Sequence, residues 1–205
     1  MRACLDDQDL RDPELIAALA ESVRGAAHSV RCLPARWQNA GVSDESAALH
    51  VVLVHPEIPW NTGNAGRTCL AAGAKLHLVR PLGFSLGDRD VQRAGLDYWE
   101  RVQPVVWQDW AAIEPNLPEL GEPYFFSSEA TRSLWDIAFP PRTVLVFGRE
   151  SVGLPPEIRS RYADRMVRIP MLDPGLRSLN LSTSVAIAVY EVLRQHQRRA
   201  RLLTL

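Results

Sequence analysis

The sequence predicts an α/β protein: a mostly parallel sheet with helices on both faces. Three observations carry this expectation. Short runs rich in Val, Leu and aromatics recur from Leu49 onward: LHVVLV, KLHLV, PYFFS, TVLVF and RMVRIP. Segments with helical spacing lie between them. The runs are continuously apolar rather than alternating, as expected of parallel strands buried on both faces. Strands that alternate with helices imply parallel pairing with crossover helices.

The elements follow in chain order. DPELIAALAESVRGAAH predicts a helix, with Asp12 as N-cap, Pro13 in the first helical position, and Leu15, Leu19, Val23 and Ala26 on one face. CLPARWQNAGVSDESAA has few periodic apolar positions and reads as a linker. The organisation expected is an N-terminal extension over residues 1–48 and one α/β domain over 49–205. After LHVVLV, GNAGRTCLAAG places Ala65, Cys69 and Ala72 on one helical face. QDWAAI and PPEIRSRY are shorter helix candidates. LNLSTSVAIAVYEVLRQHQRRA is the strongest, because Leu181, Val185, Ala188, Val189 and Val192 form one stripe.

Composition bounds the function classes. The chain has 205 residues, 46% hydrophobic and 23% charged, as in ordinary globular domains. A net charge of −1 gives no global attraction to nucleic acid or anionic lipid, so such binding needs local patches. The three cysteines, Cys4, Cys32 and Cys69, have neither metal spacing nor a disulfide framework. With an acidic N-terminus, MRACLDDQDL, they predict a cytoplasmic protein with no secretory signal. No apolar run approaches the ~18 residues that span a membrane.

In a parallel sheet, ligands bind beyond the carboxyl ends of the strands. Three polar or glycine-rich segments fall there. In PEIPWNTGNAGRTC, the prolines stop the strand, and Gly63 and Gly66 allow close approach or positive φ. Asn61 or Thr62 is placed as the cap of the next helix. Arg67 then falls in the first helical turn, where the dipole disfavours a cation. An ordinary surface arginine is the bland alternative. In GRESVGLP, Gly148 lets a ligand approach the backbone, and Glu150 binds a ribose hydroxyl, orients Arg67 or is simply solvated. In PMLDPGLRSLNLS, one of Ser178, Asn180 and Ser182 must cap the terminal helix, which leaves two polar residues unexplained by capping.

Other signals are weaker. Gly63-Asn-Ala-Gly66 does not match the dinucleotide fingerprint, and no phosphate-binding P-loop motif occurs. His50 and His77 lie inside apolar strands and read as core; His55 lies at a strand end nearer the loops. Arg194, Arg198, Arg199 and Arg201 form a candidate phosphate-binding tail, and Arg89, Arg93 and Arg101 a second group. A solvated helix end is the alternative for the tail.

Together these segments resemble the motifs of the SPOUT superfamily of RNA methyltransferases. The closer likeness is to its ribose 2′-O-methyltransferase branch, and within that to the TrmL-type enzymes of the tRNA wobble nucleotide. PEIPWNTGNAGRTC resembles the first motif of that subfamily, and RPLGFSLGDRDVQRAGLDYWE its stretch between the second and third strands. VFGRESVGLP and RIPMLDPGLRSLNLSTSVAIAVYE resemble the second and third motifs. The likeness covers roughly residues 49–196.

The resemblance implies a C-terminal trefoil knot, S-adenosyl-L-methionine as methyl donor, tRNA as substrate, and a homodimer whose sites are shared between chains. It implies cofactor contacts from Ser127, Gly148, Ile169, Ser178 and Asn180. It places Arg67, Asn61 and Glu150 in the catalytic set, with Ser182 at a further motif position. The implied reaction is methyl transfer to the ribose 2′-hydroxyl of C or U at position 34. Two departures stand out. Ser127-Ser128-Glu129-Ala130 replaces the usual threonine and glycine run, and residues 1–48 have no counterpart in minimal family members. Alternatives are methylation of another tRNA or rRNA position, or a non-catalytic RNA-binding protein of the same fold. An oxidoreductase lacks its glycine fingerprint.

Overall fold

A computed structural model describes residues 48–86 and 98–202, with backbone alone for 200–202. The helix expected over the first residues, and Arg89 and Arg93, lie outside the described residues. Among the described residues, six parallel strands form one sheet in the order β3-β2-β1-β5-β4-β6. They are β1 (Leu49–Val54), β2 (Lys75–Val79), β3 (Val105–Trp107), β4 (Glu122–Phe126), β5 (Thr143–Phe147) and β6 (Met166–Val167). At the centre, Val51 pairs with Leu76 of β2 on one side and Leu145 of β5 on the other. The five strands expected from the sequence all form, although RMVRIP contributes only two residues to its strand. β3 was not expected. Its three residues follow Pro104 directly, too short a run to stand out by pattern.

The largely apolar strands feed two cores. Leu49, Val51 and Leu53 face one cluster, while Val52 and Val54 face the other. The first cluster is closed by α1 (Pro59–Ala72), α2 (Trp99–Val102) and α6 (Leu181–Leu202). The second is closed by α3 (Trp110–Ile113), α4 (Leu117–Leu120) and α5 (Pro156–Arg161). In α6, Val185, Ala188, Val189 and Val192 are fully buried, as the stripe required. Each valine contributes at most about 1.5–3 kcal/mol from burial. An Asp at Val189 would strand a charge there and detach the helix.

α1 corrects the expected helix start. Pro59 occupies its first turn, and Ile58 is an N-cap without a side-chain cap bond. Asn61 and Thr62 therefore lie inside the first turn and do not cap it. Arg67 lies two turns further on, away from the positive end of the dipole, so its placement carries no electrostatic penalty of that kind. Neither Gly63 nor Gly66 has positive φ. Gly66 serves close approach instead: a Cβ there would lie 2.9 Å from Trp99 and 3.2 Å from Val102. α1 ends at Gly73 in the left-handed region, φ 67°, with Ala74 N–H donating to Cys69 O at 2.8 Å.

Candidate functional site

The carboxyl ends of β4, β5 and β6 open into a cleft of about 330 Å³. Ser127, Gly148, Ile169 and Ser178 all line it, so four of the five residues expected to hold a cofactor share one cavity. Phe147, Leu154 and Leu181 form apolar wall, and Arg149, Arg159 and Arg177 stand around it. Arg159 is engaged with Glu129 at 2.5 Å. Ser127 extends the sheet edge by donating its N–H to Val167 O at 3.0 Å, and its hydroxyl accepts from Glu129 N–H. The departure from the usual threonine and glycine run thus preserves an ordered turn at the cleft wall.

Gly148 is required by shape. A Cβ at that position would lie 2.1 Å from the backbone of Gly153 and Leu154. The loop folds back over Gly148 through paired bonds between Arg149 and Gly153, at 3.2 and 2.9 Å, with Gly153 at φ 74°. Only glycine lets the chain cross itself there.

Asn180 sits beside this cleft without lining it. Its Oδ1 accepts the N–H groups of Ser182 and Thr183 at 2.9 and 3.3 Å and the Ser182 hydroxyl at 2.8 Å. Asn180 is thus the cap that the sequence required at the start of α6. Its Nδ2 donates to Asn61 Oδ1 at 2.9 Å, and Asn61 Nδ2 donates to Glu150 Oε1 at 2.9 Å. Glu150 also accepts the N–H groups of Glu57 and Ile58 at 2.8 and 3.3 Å. A carboxylate at the amino end of α1 is favoured by the exposed N–H groups and the dipole. Of the readings open for Glu150, the solvated one is replaced by this anchoring role. Among the described residues no ion pair joins it to Arg67.

Glu57 completes a reciprocal clasp, accepting from Ser151 N–H at 3.0 Å and the Ser151 hydroxyl at 2.8 Å. Gly83 closes the other side, where a Cβ would meet Glu57 backbone at 2.7 Å. Glu57, in PEIPWNTGNAGRTC, is a site residue that the sequence reading misses. Its signal was an acid flanked by two prolines, held where the loop cannot turn away.

Arg67 is exposed on α1, and its guanidinium carbon lies 4.6 Å from the centroid of the Tyr98 ring. It does not line the cleft. His55, at the tip of β1, adopts φ 53°, and its N–H donates to Val79 O at 3.0 Å. Its pKa is lowered from 6.5, by burial first and by Arg149 second. His50 and His77 are buried, with Nδ1 of the first 2.9 Å from Nε2 of the second, and Trp107 donates to His77 Nδ1 at 3.1 Å. They are core residues, as read from the sequence. Cys69 is buried, and desolvation pushes its thiol up to about 12, so it is no nucleophile at neutral pH.

The arginine tail is only partly free. Arg194 makes a bidentate pair with Glu191 at 2.8 and 2.7 Å. Gln195 bridges Glu191, Ile137 O and Phe139 N–H, so this turn of α6 fastens the helix to the loop between β4 and β5. The expected four-arginine patch loses Arg194 to this structural role, and the Arg201 side chain lies outside the described residues. Arg198 and Arg199 remain exposed, as does Arg101 on α2.

The arrangement is a loop-built cleft at the carboxyl ends of parallel strands, cross-braced to a helix that presents an arginine. The chain is similar to known proteins. A tRNA (cytidine(34)-2′-O)-methyltransferase of Burkholderia pseudomallei (strain 1106a) is 47% identical over 148 residues, covering 71% of this chain and 94% of the relative. The enzyme of the same name from Acidovorax sp. (strain JS42) is 46% identical over 149 residues, covering 72% and 91%. A solved structure described as giving insights into 2-OH methylation of C/U34 on tRNA superposes with TM-score 0.69 at 44% identity, over 73% of this chain and 97% of that one. The methyltransferase AviRb from Streptomyces viridochromogenes, in complex with AdoMet, shares the fold at TM-score 0.61 and 22% identity, over 76% of this chain and 60% of its own. The SpoU rRNA Methylase family profile matches residues 48–190, which takes in every strand of the sheet and all three site loops, and the chain belongs to that family.

Proposed function

We propose that this protein is an S-adenosyl-L-methionine-dependent tRNA methyltransferase acting on the ribose 2′-hydroxyl of the wobble nucleotide, C or U at position 34. The observation that carries the reading is the union of Ser127, Gly148, Ile169 and Ser178 in one cleft, braced through Asn180, Asn61 and Glu150 to the helix bearing Arg67. Relatives named for this reaction match that whole region at 46–47% identity.

The cleft fits the cofactor. Its volume suits a nucleoside-sized ligand, Gly148 leaves backbone open to it, and apolar Phe147, Leu154 and Leu181 flank the polar Ser127 and Ser178. S-adenosylmethionine supplies a methyl group already activated on a sulfonium, so the protein's task is alignment and charge stabilisation. Ser127, Gly148, Ile169 and Ser178 hold the donor. Asn61, Asn180 and Glu150 fix the loops relative to α1. Arg67 holds the phosphate beside the target ribose or stabilises the 2′-oxygen while water or a substrate phosphate takes its proton. A guanidinium stays protonated at working pH, which disfavours it as the base.

The reading extends to a knotted C-terminal segment, a homodimer with shared sites and a cytoplasmic location. The domain of the enzyme is taken as 49–205, with 1–48 an extension. Trp60 on α1 and Tyr190 on α6 are half exposed on two helices that pack together, and they supply apolar surface suited to a second copy. Sedimentation at micromolar concentration should give twice the chain mass.

The deciding experiment incubates the full chain with labelled S-adenosylmethionine and tRNA transcripts bearing C34 or U34, then maps 2′-O-methylation by mass spectrometry. Methyl at position 34 supports the reading. Methyl elsewhere, or cofactor binding without transfer to any RNA, overturns it.

A further inference from the structure

We infer that Tyr98 is the positioning residue for Arg67: its ring face holds the guanidinium in place while leaving the N–H edge free for RNA. The inference rests on the reading of Arg67 as the residue that meets the substrate. A carboxylate partner would fix an arginine equally well, but it would occupy donors and cancel the charge. A ring face does neither. The attraction runs between the cation and the π quadrupole, and it supplies neither a counter-charge nor a lone-pair acceptor for the five N–H donors. Among the described residues, Arg67 has no ion pair or hydrogen-bond acceptor, and its guanidinium carbon stands 4.6 Å from the centroid of the Tyr98 ring.

The platform itself is rigid. Tyr98 is 8% exposed and belongs to the core cluster that contains Leu53, Ala65 and Val185. The residue before Arg67 explains how the ring reaches it. Gly66 has no side chain, so Trp99 and Val102 pack where its Cβ would stand, 2.9 and 3.2 Å away. That close approach draws the start of α2, and Tyr98 with it, onto the Arg67 turn of α1. An exposed arginine would otherwise sample many rotamers, and ordering it on binding costs side-chain entropy. Held beforehand, it meets the RNA already in place.

Three full-length variants test this. Tyr98→Phe keeps a π-rich face. Tyr98→pentafluorophenylalanine keeps the same ring shape and packing but reverses the quadrupole. Arg67→Ala removes the cation. The first readout is the Arg67 side-chain Hε resonance, which a ring face shifts upfield. The shift is expected in wild type and Tyr98→Phe, with Arg67 moving away in the fluorinated protein. The second readout is single-turnover methyl transfer to tRNA. The fluorinated variant should be at least about fivefold slower than Tyr98→Phe, with equal cofactor affinity. In the Arg67→Ala background the two rings should be indistinguishable. Equal rates for the two rings with Arg67 intact, or an Arg67 resonance blind to the ring, overturn the inference. Absence of methyl transfer by wild type would count against the proposed function alone, and the resonance would still decide whether Tyr98 holds Arg67.

Discussion

Asn61 and Asn180, 119 residues apart in sequence, are joined by a 2.9 Å hydrogen bond from Asn180 Nδ2 to Asn61 Oδ1. The orientation of both amides follows from their other partners. Asn180 Oδ1 is taken by the first N–H groups of α6, so its NH₂ must face Asn61. Asn61 then presents NH₂ to a group that can only accept, the Glu150 carboxylate. One chain of hydrogen bonds thus ties the start of α1, the loop after β5 and the start of α6.

Removing either amide should cost more than one bond. Asn61→Ala leaves Asn180 Nδ2 without its acceptor and Glu150 with the Glu57 and Ile58 N–H groups as its remaining donors, at about 1–3 kcal/mol. Asn180→Ala loses the cap of α6, at about 0.5–2 kcal/mol. The double variant should lose less than the sum, with a coupling on the order of 0.5–3 kcal/mol in denaturant unfolding. Strict additivity would show that the amides act separately.

Gly148→Ala should abolish cofactor binding with the sheet intact. The added methyl meets backbone on two residues, not a flexible side-chain end, so the loop over Arg149–Gly153 must move. Overpacking of this kind costs about 1–3 kcal/mol. Calorimetric titration with S-adenosylmethionine should show at least a tenfold loss, while circular dichroism at low temperature stays unchanged. Wild-type affinity in this variant would mean the cleft does not depend on that crossing.

The sheet was legible because the central strands are runs of apolar residues without polar alternation, broken in LHVVLV only by His50 and in TVLVF only by the leading Thr143, as burial on both faces requires. The stripe from Leu181 to Val192 was legible for the matching reason, a period of 3.6. β3 was not, since Val105–Trp107 is stabilised by its pairing with β2 rather than by its own pattern. At the site, glycines and polar residues at strand ends marked which loops matter. The direction of each contact was hidden. Glu150 reads as a solvated acid until the chain brings Glu57 and Ile58 amides to it. Tyr98 reads as one aromatic in a motif until Gly66 lets α2 close on α1.

Thr62→Val should stabilise the protein. The Thr62 hydroxyl is fully buried in α1, and among the described residues it has no hydrogen-bond partner. A methyl of nearly the same volume removes an unpaired polar atom, for a gain of about 1 kcal/mol. Thermal unfolding should shift upward by a few degrees. A loss of stability would reveal that the hydroxyl is satisfied in solution.

His55 should make stability fall in mild acid. Its pKa in the folded chain lies below 6.5, chiefly through burial and then through Arg149. Between that lowered value and 6.5 the unfolded chain binds more protons, so stability drops as pH falls through this window. Above about 6.5 both states are neutral, and this residue adds no slope. Asn tolerates the left-handed backbone that His55 adopts at φ 53°. His55→Asn should therefore fold normally and show a shallower loss as pH falls below 6.5 in denaturant titrations. An unchanged slope would assign the acid sensitivity to other groups.

The arginines near the end of α6 should separate into structural and RNA-binding sets. Arg194 is held by Glu191, whose carboxyl is kept below its usual range mainly by that bond. Arg194→Ala should lower stability above the carboxylate range, because Glu191 is only 9% exposed and would keep its charge with one partner fewer. Its effect on RNA affinity should be small once stability is matched at low temperature. Arg198 and Arg199 are exposed beyond this pair. If they meet phosphates, replacing each by Ala should weaken tRNA binding and lower the slope of log K against log salt by about one unit or less per residue. Folding stability should hardly change. The opposite pattern, with Arg194→Ala flattening the salt slope and Arg198→Ala leaving it intact, would place the RNA on the Glu191 side of the helix.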